Sequence, residues 1–144
     1  MTSTLIKDLM QKDPTIISRD TTLQEAARTM GAVNCGMLPV GTADKLEGVI
    51  TDRDIVLRAV AKGKDMTKEK VKDYMTPKAH YVRTDDSTED AAALMHEENI
   101  NRVLVEDEQG KPCGVLSFGR IIRKNGDREE VATMIDFAVG RRAA

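Results

Sequence analysis

Residues 48–55 read Gly-Val-Ile-Thr-Asp-Arg-Asp-Ile, and the first four of them return later as Gly114-Val115-Leu116-Ser117. An earlier stretch returns as well, because Lys7-Asp8-Leu9-Met10 reappears as Lys72-Asp73-Tyr74-Met75, at an offset of 65 (72 − 7). A repeat of this length marks a duplicated fold unit, and differences between the copies indicate where function lies. One difference falls three residues after the returning stretch, where Asp54 of the first copy corresponds to Arg120 of the second.

Composition limits the classes of protein that this chain can belong to. Its 144 residues suit one domain or two small halves that share a core, and the formal net charge is −2. Near-neutral charge argues against a general nucleic-acid-binding protein, which usually carries a basic patch. No apolar run approaches the ~20 residues that span a bilayer, so we predict no membrane segment. Charged residues interrupt the apolar stretch that a secretory signal peptide would need near the N-terminus, so we expect no signal peptide and a cytoplasmic location; they are Lys7, Asp8, Lys12 and Asp13.

Cys35 and Cys113 are the only cysteines. Two cysteines are too few for a disulfide framework, and a reduced, cytosolic environment is expected. Both lie next to apolar elements, so we interpret them as buried and unreactive thiols.

Each copy is predicted to run strand, helix, strand, strand, helix. Apolar periodicity and turn residues place the elements of the first copy at 15–17, 22–33, 37–40, 46–50 and 52–61, and those of the second at 80–82, 88–97, 103–105, 114–117 and 118–124. Leu5-Ile6 and Leu9-Met10 stand one helical turn apart and predict a short apolar turn before the first copy. The side chains predicted to face inward from the two helices of the first copy are Leu23, Ala26, Ala27, Met30, Ile55, Val56 and Ala59.

The C-terminal tail predicts one more amphipathic helix. Val131, Met134, Ile135 and Ala138 follow the i, i+3, i+4, i+7 pattern. This apolar face could pack on its own domain or form a dimer contact, and the sequence leaves both open.

The duplicated βαββα order, with residues 48–55 closing the first copy, resembles a tandem pair of cystathionine β-synthase (CBS) domains, often called a Bateman module. The resemblance covers residues 5–124 and implies an α/β (α+β) fold in which two repeats pack with pseudo-two-fold symmetry. We place repeat 1 at 5–63, repeat 2 at 64–124 and the C-terminal helix and tail at 125–144.

The resemblance also implies a function. CBS pairs bind adenine nucleotides or other adenosyl ligands in clefts between their repeats, regulate a partner and commonly form homodimers. The sequence itself assembles no nucleophile, base and oxyanion site, and no set of residues with zinc-ligand spacing. We therefore predict a protein that is not an enzyme, needs no cofactor and holds no metal.

By the resemblance, Thr51 and Asp54 contact the ribose in the first cleft. A carboxylate suits this role because it can accept hydrogen bonds from both ribose hydroxyls. Asn101 and Arg102 take the positions that face phosphate, where Arg102 supplies the forked donors and Asn101 replaces a more usual histidine. The adenine is expected against Val49, Ala79, His80 and Tyr81.

Thr51 and Asp54 also have the spacing of a capping box, in which the threonine is the N-cap and the aspartate stands three residues on. Such a cap contributes on the order of 1 kcal/mol without any ligand. Two functions therefore stay open: an adenosyl-ligand sensor, and an interaction or scaffold module that acts through a homodimer or an unidentified protein partner.

The second cleft is expected to be degenerate. Arg120 cannot accept a hydrogen bond from a ribose hydroxyl, and Met37 stands where the resemblance implies a basic residue facing phosphate. One ligand per chain, or none, is therefore predicted. The residues that the resemblance assigns to this cleft are Thr15, Ile16, Gly36, Met37, Val115, Ser117 and Arg120.

The identity of the ligand is left open among several adenosyl compounds. Arg102 is the one clear phosphate contact, which favours AMP, ADP or ATP, while NAD and S-adenosylmethionine remain alternatives.

Overall fold

The computed structural model describes residues 5–77 and 80–124, together with Glu129, Ala132, Ile135 and Asp136. The chain divides into two compact units, one formed by Pro14–Ala79 and the other by Met1–Asp13 with His80–Ala144. Neither unit is one uninterrupted repeat. Each combines the body of one repeat with a short segment that precedes the body of the other.

Helices and strands are interspersed along the chain, as predicted for an α/β (α+β) fold. In chain order they are α1 (Ile6–Leu9), β1 (Gln11–Lys12), α2 (Leu23–Val33), β2 (Met37–Gly41), β3 (Leu46–Thr51), α3 (Asp52–Arg58), β4 (Tyr81–Arg83), α4 (Thr88–Glu98), β5 (Arg102–Glu106), β6 (Pro112–Ser117) and α5 (Phe118–Lys124). Two 3-10 turns, Val60–Lys62 and Val71–Asp73, lie between α3 and β4.

The unit that contains the second repeat has a four-stranded sheet in the order β1-β6-β5-β4. β4 pairs with β5 in parallel, and the other pairs are antiparallel. The unit of the first repeat has the β2–β3 hairpin at the same place, flanked by single bridges from Val49 to Thr76 and from Ile17 to Val40. The two units therefore share one strand order, with shorter outer strands in the first.

The strand predicted at 15–17 is reduced to the single bridge at Ile17, and proline explains the loss. In the unit of the second repeat, the Leu104 N–H donates to the His80 carbonyl at 3.0 Å. Pro39 occupies the position of Leu104 in the first repeat and has no N–H to donate to the neighbouring strand. The pairing that extends β4 is therefore missing beside β2.

Side-chain caps fix where the helices begin. The Glu25 N–H donates to the Thr22 hydroxyl at 3.1 Å, which confirms the predicted start of α2. Ser87 and Asp90 form a complete capping box at the start of α4. Both α2 and α4 end at an asparagine in the left-handed conformation, Asn34 and Asn99, a conformation that asparagine tolerates well.

Two predictions about inward-facing residues are wrong. Ala27 is exposed on α2. Val56 is 52% exposed, because it directly follows the buried Ile55 and so points about 100° away from the buried face of α3. The helix itself is shorter than predicted, since α3 ends at Arg58 and a 3-10 turn follows where a continuous helix was expected over 52–61. Ile55 and Ala59 are buried as predicted.

Residues 6–12 and 71–77, called here the first and second lead-in segments, supply part of each unit's core. Ile6 and Leu9 are buried in the core of the second-repeat unit, so the predicted apolar turn is confirmed. Their counterparts Val71 and Tyr74 are buried in the core of the first-repeat unit. Each hydrophobic core is thus completed by a lead-in segment that precedes the other repeat.

In each unit, a glycine of the third strand leaves the space that lets the lead-in backbone approach that strand. A Cβ added at Gly48 would collide with the carbonyl oxygen of Thr76, and one at Gly114 would stand 3.0 Å from the Gln11 carbonyl oxygen. Neither glycine has a positive φ, so the requirement is for space and not for conformation. The glycine of the repeated Gly-Val-Ile-Thr and Gly-Val-Leu-Ser stretches is therefore explained by the close approach of backbone.

The amphipathic tail helix falls largely outside the described residues, as do Val131, Met134 and Ala138. Ile135 is described as helical and is 42% exposed.

We expect Gly48→Ala to lower the free energy of unfolding by about 1–3 kcal/mol, the usual cost of overpacking a filled position. Gly31→Ala is the matched control, because Gly31 lies in α2 with no atom within 4 Å of the added Cβ. That substitution should stabilise the protein by roughly 0.5–1 kcal/mol. Urea unfolding at an unchanged m-value measures both, and equal stability of the two variants would contradict the close-approach explanation.

Candidate functional site

The start of α3 places Thr51 and Asp54 side by side. The Asp54 N–H donates to Thr51 Oγ1 at 3.1 Å, and the Thr51 N–H donates to Asp54 Oδ2 at 3.0 Å. The capping box is therefore complete. Sequence spacing alone was sufficient to find this pair.

The second carboxylate oxygen of Asp54 faces Arg58. Arg58 Nη1 lies 4.0 Å from Asp54 Oδ1, across one turn of α3. The same Nη1 donates to the carbonyl of Tyr74, and the guanidinium stands 5.9 Å from the centroid of the Tyr74 ring. The Asp54 side chain is 17% exposed. A carboxylate offers about four lone-pair sites, so these contacts leave it capacity for further donors.

Gly36, Met37 and Val49 lie in the same unit as Thr51 and Asp54. Met37 pairs with Thr51 across the β2–β3 hairpin and is only 4% exposed. The Gly36 carbonyl accepts the Asp52 N–H at 2.9 Å. Both backbone groups of Val49 bond to Thr76, so they are occupied within the unit.

The other predicted residues near the first repeat are less regular. Thr15 and Ile16 are half-buried and precede the bridge at Ile17 without belonging to a strand. Ala79 lies outside the described residues.

Asn101 and Arg102 lie in the unit of the second repeat. Arg102 begins β5, is half-buried and pairs in register with Ser117. Asn101 is exposed, and its carbonyl accepts the Phe118 N–H at 2.9 Å, which fixes the turn into α5. The structure therefore brings Arg102 beside Ser117, a residue assigned by sequence to the other cleft.

His80 and Tyr81 flank the start of β4 in that unit. The His80 carbonyl is used by Leu104, and His80 Nε2 lies 3.8 Å from Glu98 Oε2. Partial burial, together with the nearby charge of Glu106, raises the pKa of the Tyr81 phenol, so the ring remains neutral at physiological pH.

Arg120 has a structural contact that its sequence position did not predict. Its N–H donates to Ser117 Oγ at 3.1 Å, so Ser117 caps α5. Its side-chain Nε donates to the carbonyl of Leu9 in the first lead-in segment. Val115 also lies in β6, with 5% exposure, and pairs with Gln11 and Leu104. Arg120 thus holds a lead-in carbonyl, as Arg58 does in the other unit.

Both cysteines are free thiols and are half-buried, so the prediction that they are buried is wrong. The Cys35 thiol donates to the Met37 carbonyl at 3.2 Å. Burial, with the charges of Asp107 and Glu106, raises the pKa of the Cys113 thiol and reduces its thiolate fraction. In the part of the chain that the structure describes, no group of His, Cys, Asp and Glu side chains is placed to hold a metal ion. Within the same residues, no helix has the length and apolar character needed to cross a bilayer.

Sequence reasoning missed Arg58 and Tyr74. The one signal for Arg58 was its position four residues after Asp54, a spacing that favours an ion pair on a helix. The contact with the Tyr74 carbonyl had no signal, because a backbone acceptor carries no residue signature.

Known proteins resemble this chain in both sequence and structure. The family model for the CBS domain matches residues 6–60 and again 71–126. The CBS domain-containing protein YhcV of Bacillus subtilis is 35% identical over 114 residues, which cover 79% of this chain and 80% of that protein. Hypoxic response protein 1 of Mycobacterium tuberculosis is 32% identical over 121 residues, or 83% of this chain and 84% of that protein.

A solved structure of the CBS domain pair of protein MJ0100 contains 5′-methylthioadenosine and S-adenosyl-L-methionine. It is 28% identical to this chain with a TM-score of 0.75, and the match covers 85% of this chain and 95% of the other.

The two matches of the family model fall on the two copies of the repeat, and both copies have the same strand order. This chain therefore belongs to the CBS-domain family and carries two CBS domains in tandem.

Proposed function

We propose that this chain is a cytoplasmic regulatory protein without catalytic activity, which senses an adenine nucleotide or another adenosyl ligand. Thr51 and Asp54 contact the ribose, and Arg102, with Asn101 beside it, contacts the phosphate. Val49, Ala79, His80 and Tyr81 contact the adenine. Binding favours one conformation of the pair and so changes the affinity for an unidentified protein partner, which requires the partner to distinguish the two conformations.

The observation that carries this proposal is the partly exposed Asp54 carboxylate beside the Thr51 hydroxyl at the start of α3. A carboxylate fixed by its own helix is ready to accept two ribose hydroxyls without losing further side-chain entropy. The MJ0100 pair, solved with two adenosyl compounds, supports an adenosyl ligand as the class.

The choice among adenosyl ligands depends on Arg102. A single guanidinium suits a short phosphate chain, so AMP and ADP come before ATP. The compounds in the MJ0100 structure carry no phosphate, which keeps S-adenosylmethionine a candidate, and NAD stays open.

We propose one ligand per chain. The second set of residues has Arg120 where the first has Asp54, and the Arg120 Nε is already bound to the Leu9 carbonyl. A ribose there would meet a cation instead of an acceptor.

A scaffold function is the alternative, and two observations favour it. The complete capping box accounts for Thr51 and Asp54 without any ligand. Among the described residues, Val56, Leu57 and Val60 leave 46–53% of their surface exposed on one side of α3 and the turn that follows. We propose that a second copy of the chain covers this face in a homodimer.

The ligand proposal predicts a rise in melting temperature with one member of a panel of AMP, ADP, ATP, NAD and S-adenosylmethionine. A ligand at about 100 times its dissociation constant should add about 2.7 kcal/mol of stability. Asp54→Ala should remove this shift, because it removes the ribose acceptor. Calorimetric titration should give one ligand per chain.

Asp90→Ala is the matched control, since Asp90 closes the same type of capping box on α4. Both variants should lose on the order of 1 kcal/mol of stability, but only Asp54→Ala should lose the ligand shift. A ligand shift that survives in Asp54→Ala would contradict the assigned contacts, and no shift with any compound would favour the scaffold function.

The homodimer proposal predicts twice the mass of one chain by size exclusion with light scattering. Leu57→Asp should shift the protein toward monomer, because it buries a charge in the contact. Gln109→Asp adds the same charge at an exposed turn and should stay dimeric. A monomeric wild-type protein would refute the dimer, and a dimeric Leu57→Asp variant would refute this contact face.

A further inference from the structure

Arg58 contacts both a residue proposed to bind ligand and a segment that belongs to the core. It lies at the end of α3, with its side chain 49% exposed and Nη1 4.0 Å from Asp54 Oδ1. The same nitrogen donates to the Tyr74 carbonyl, and the guanidinium faces the Tyr74 ring. One side chain therefore connects the candidate ribose acceptor to the second lead-in segment.

The backbone of the second lead-in segment is attached to the rest of its unit near its two ends. The Val71 and Lys72 N–H groups donate to the Thr21 and Arg19 carbonyls, and Thr76 exchanges two backbone hydrogen bonds with Val49. The Tyr74 and Met75 N–H groups both donate to the Val71 carbonyl at 2.9 Å, within the segment itself. Between Lys72 and Thr76, the Arg58 side chain donates to the Tyr74 carbonyl. Restraining the Arg58 side chain should therefore restrain the peptide group that contains the Tyr74 carbonyl.

The other unit shows which part of this arrangement is specific to the first repeat. Arg120 donates to the carbonyl of Leu9, and Leu9 is the counterpart of Tyr74. An arginine thus holds a lead-in carbonyl in both units. Arg58, however, stands one helical turn after an aspartate, whereas Arg120 itself occupies the aspartate's position. The contact between an arginine and a lead-in carbonyl is common to both units, whereas an aspartate four residues before that arginine occurs in the first repeat and a leucine, Leu116, stands there in the second.

We propose that Arg58 is a positioning residue that couples the Asp54 carboxylate to the second lead-in segment, so that a ligand held by Asp54 orders residues 71–77. This inference rests on the proposed function for its ligand and on geometry alone for the coupling. A ligand immobilises Asp54, Asp54 restrains the guanidinium, and the guanidinium restrains the Tyr74 carbonyl. When one group is already fixed, its neighbour loses less conformational entropy on becoming ordered. Ordering of the two groups is then positively coupled without a large movement of either.

Native-state hydrogen exchange at the Tyr74 and Met75 amides, without ligand, tests the coupling. Asp54→Asn keeps an oxygen for the Thr51 N–H but removes the charge that faces Arg58, whereas Arg58→Met keeps the length of the side chain without a donor. We expect Asp54→Asn to speed exchange at these amides about twofold, the size expected of an i, i+4 ion pair. The same substitution should have no effect in an Arg58→Met background.

Asp90→Asn is the control for the cap, because residue 94, four positions after Asp90, is a leucine. It should leave the two amides unchanged. Equal effects of Asp54→Asn with and without Arg58 would overturn the coupling.

Titration with AMP and with S-adenosylmethionine tests the connection to ligand. Ligand should slow exchange at Tyr74 and Met75 in the wild-type protein, and Arg58→Met should abolish that change and weaken affinity about threefold, since a threefold change is ~0.65 kcal/mol. Arg58→Lys retains the charge beside Asp54 but not the fork that also reaches a carbonyl. It should recover affinity without recovering the slowed exchange, which a merely structural arginine would not do.

The outcomes separate the two proposals. If neither compound binds the wild-type protein, the ligand function and its link to Arg58 both fail, while exchange in the absence of ligand still decides whether Asp54 and the lead-in segment are coupled. If a compound binds and slows exchange equally in Arg58→Met, the proposed function stands and the role of Arg58 is refuted.

Discussion

The close approach of a lead-in segment to the third strand of each repeat is the constraint on which both units depend. Backbone can come this near to a strand only where no side chain intervenes, and Gly48 and Gly114 provide that space. The approach brings apolar side chains with it, so that Val71 and Tyr74 complete one core and Ile6 and Leu9 the other. Neither repeat body of roughly 60 residues has a full core from its own sequence, as expected for so short a chain.

Each lead-in segment is also held by an arginine, but the two repeats use different helix positions for it. Arg58 comes from the second turn of α3, and Arg120 from the first turn of α5. Using the second turn leaves the earlier position in the first repeat for Asp54. In the second repeat, Arg120 itself occupies that earlier position, so no carboxylate is present there. The difference between Asp54 and Arg120 therefore follows from which turn of the helix supplies the arginine that binds the lead-in carbonyl.

Capping and ligand binding make compatible demands on Asp54. Its Oδ2 accepts the Thr51 N–H, and its Oδ1 faces Arg58, yet each oxygen has a further lone pair. A helix cap that fixes a carboxylate in one orientation also lowers the entropy cost of binding a hydroxyl pair. The same atoms can therefore stabilise α3 and receive a ribose, which is why the cap alone does not distinguish a sensor from a scaffold.

The sequence by itself determined the duplication, the Thr51–Asp54 cap and the order of helices and strands apart from β1 and the strand at 15–17, because each of these depends on periodicity or on residues within a few positions of one another. It failed where the outcome depends on a distant partner. The strand at 15–17 is cut short by Pro39, which has no N–H to offer the neighbouring strand. Only the tertiary structure decided which core receives each lead-in segment and what Arg58 and Arg120 bind. Those contacts end on backbone carbonyls, in one case 111 residues away, and a carbonyl is the same for every residue type.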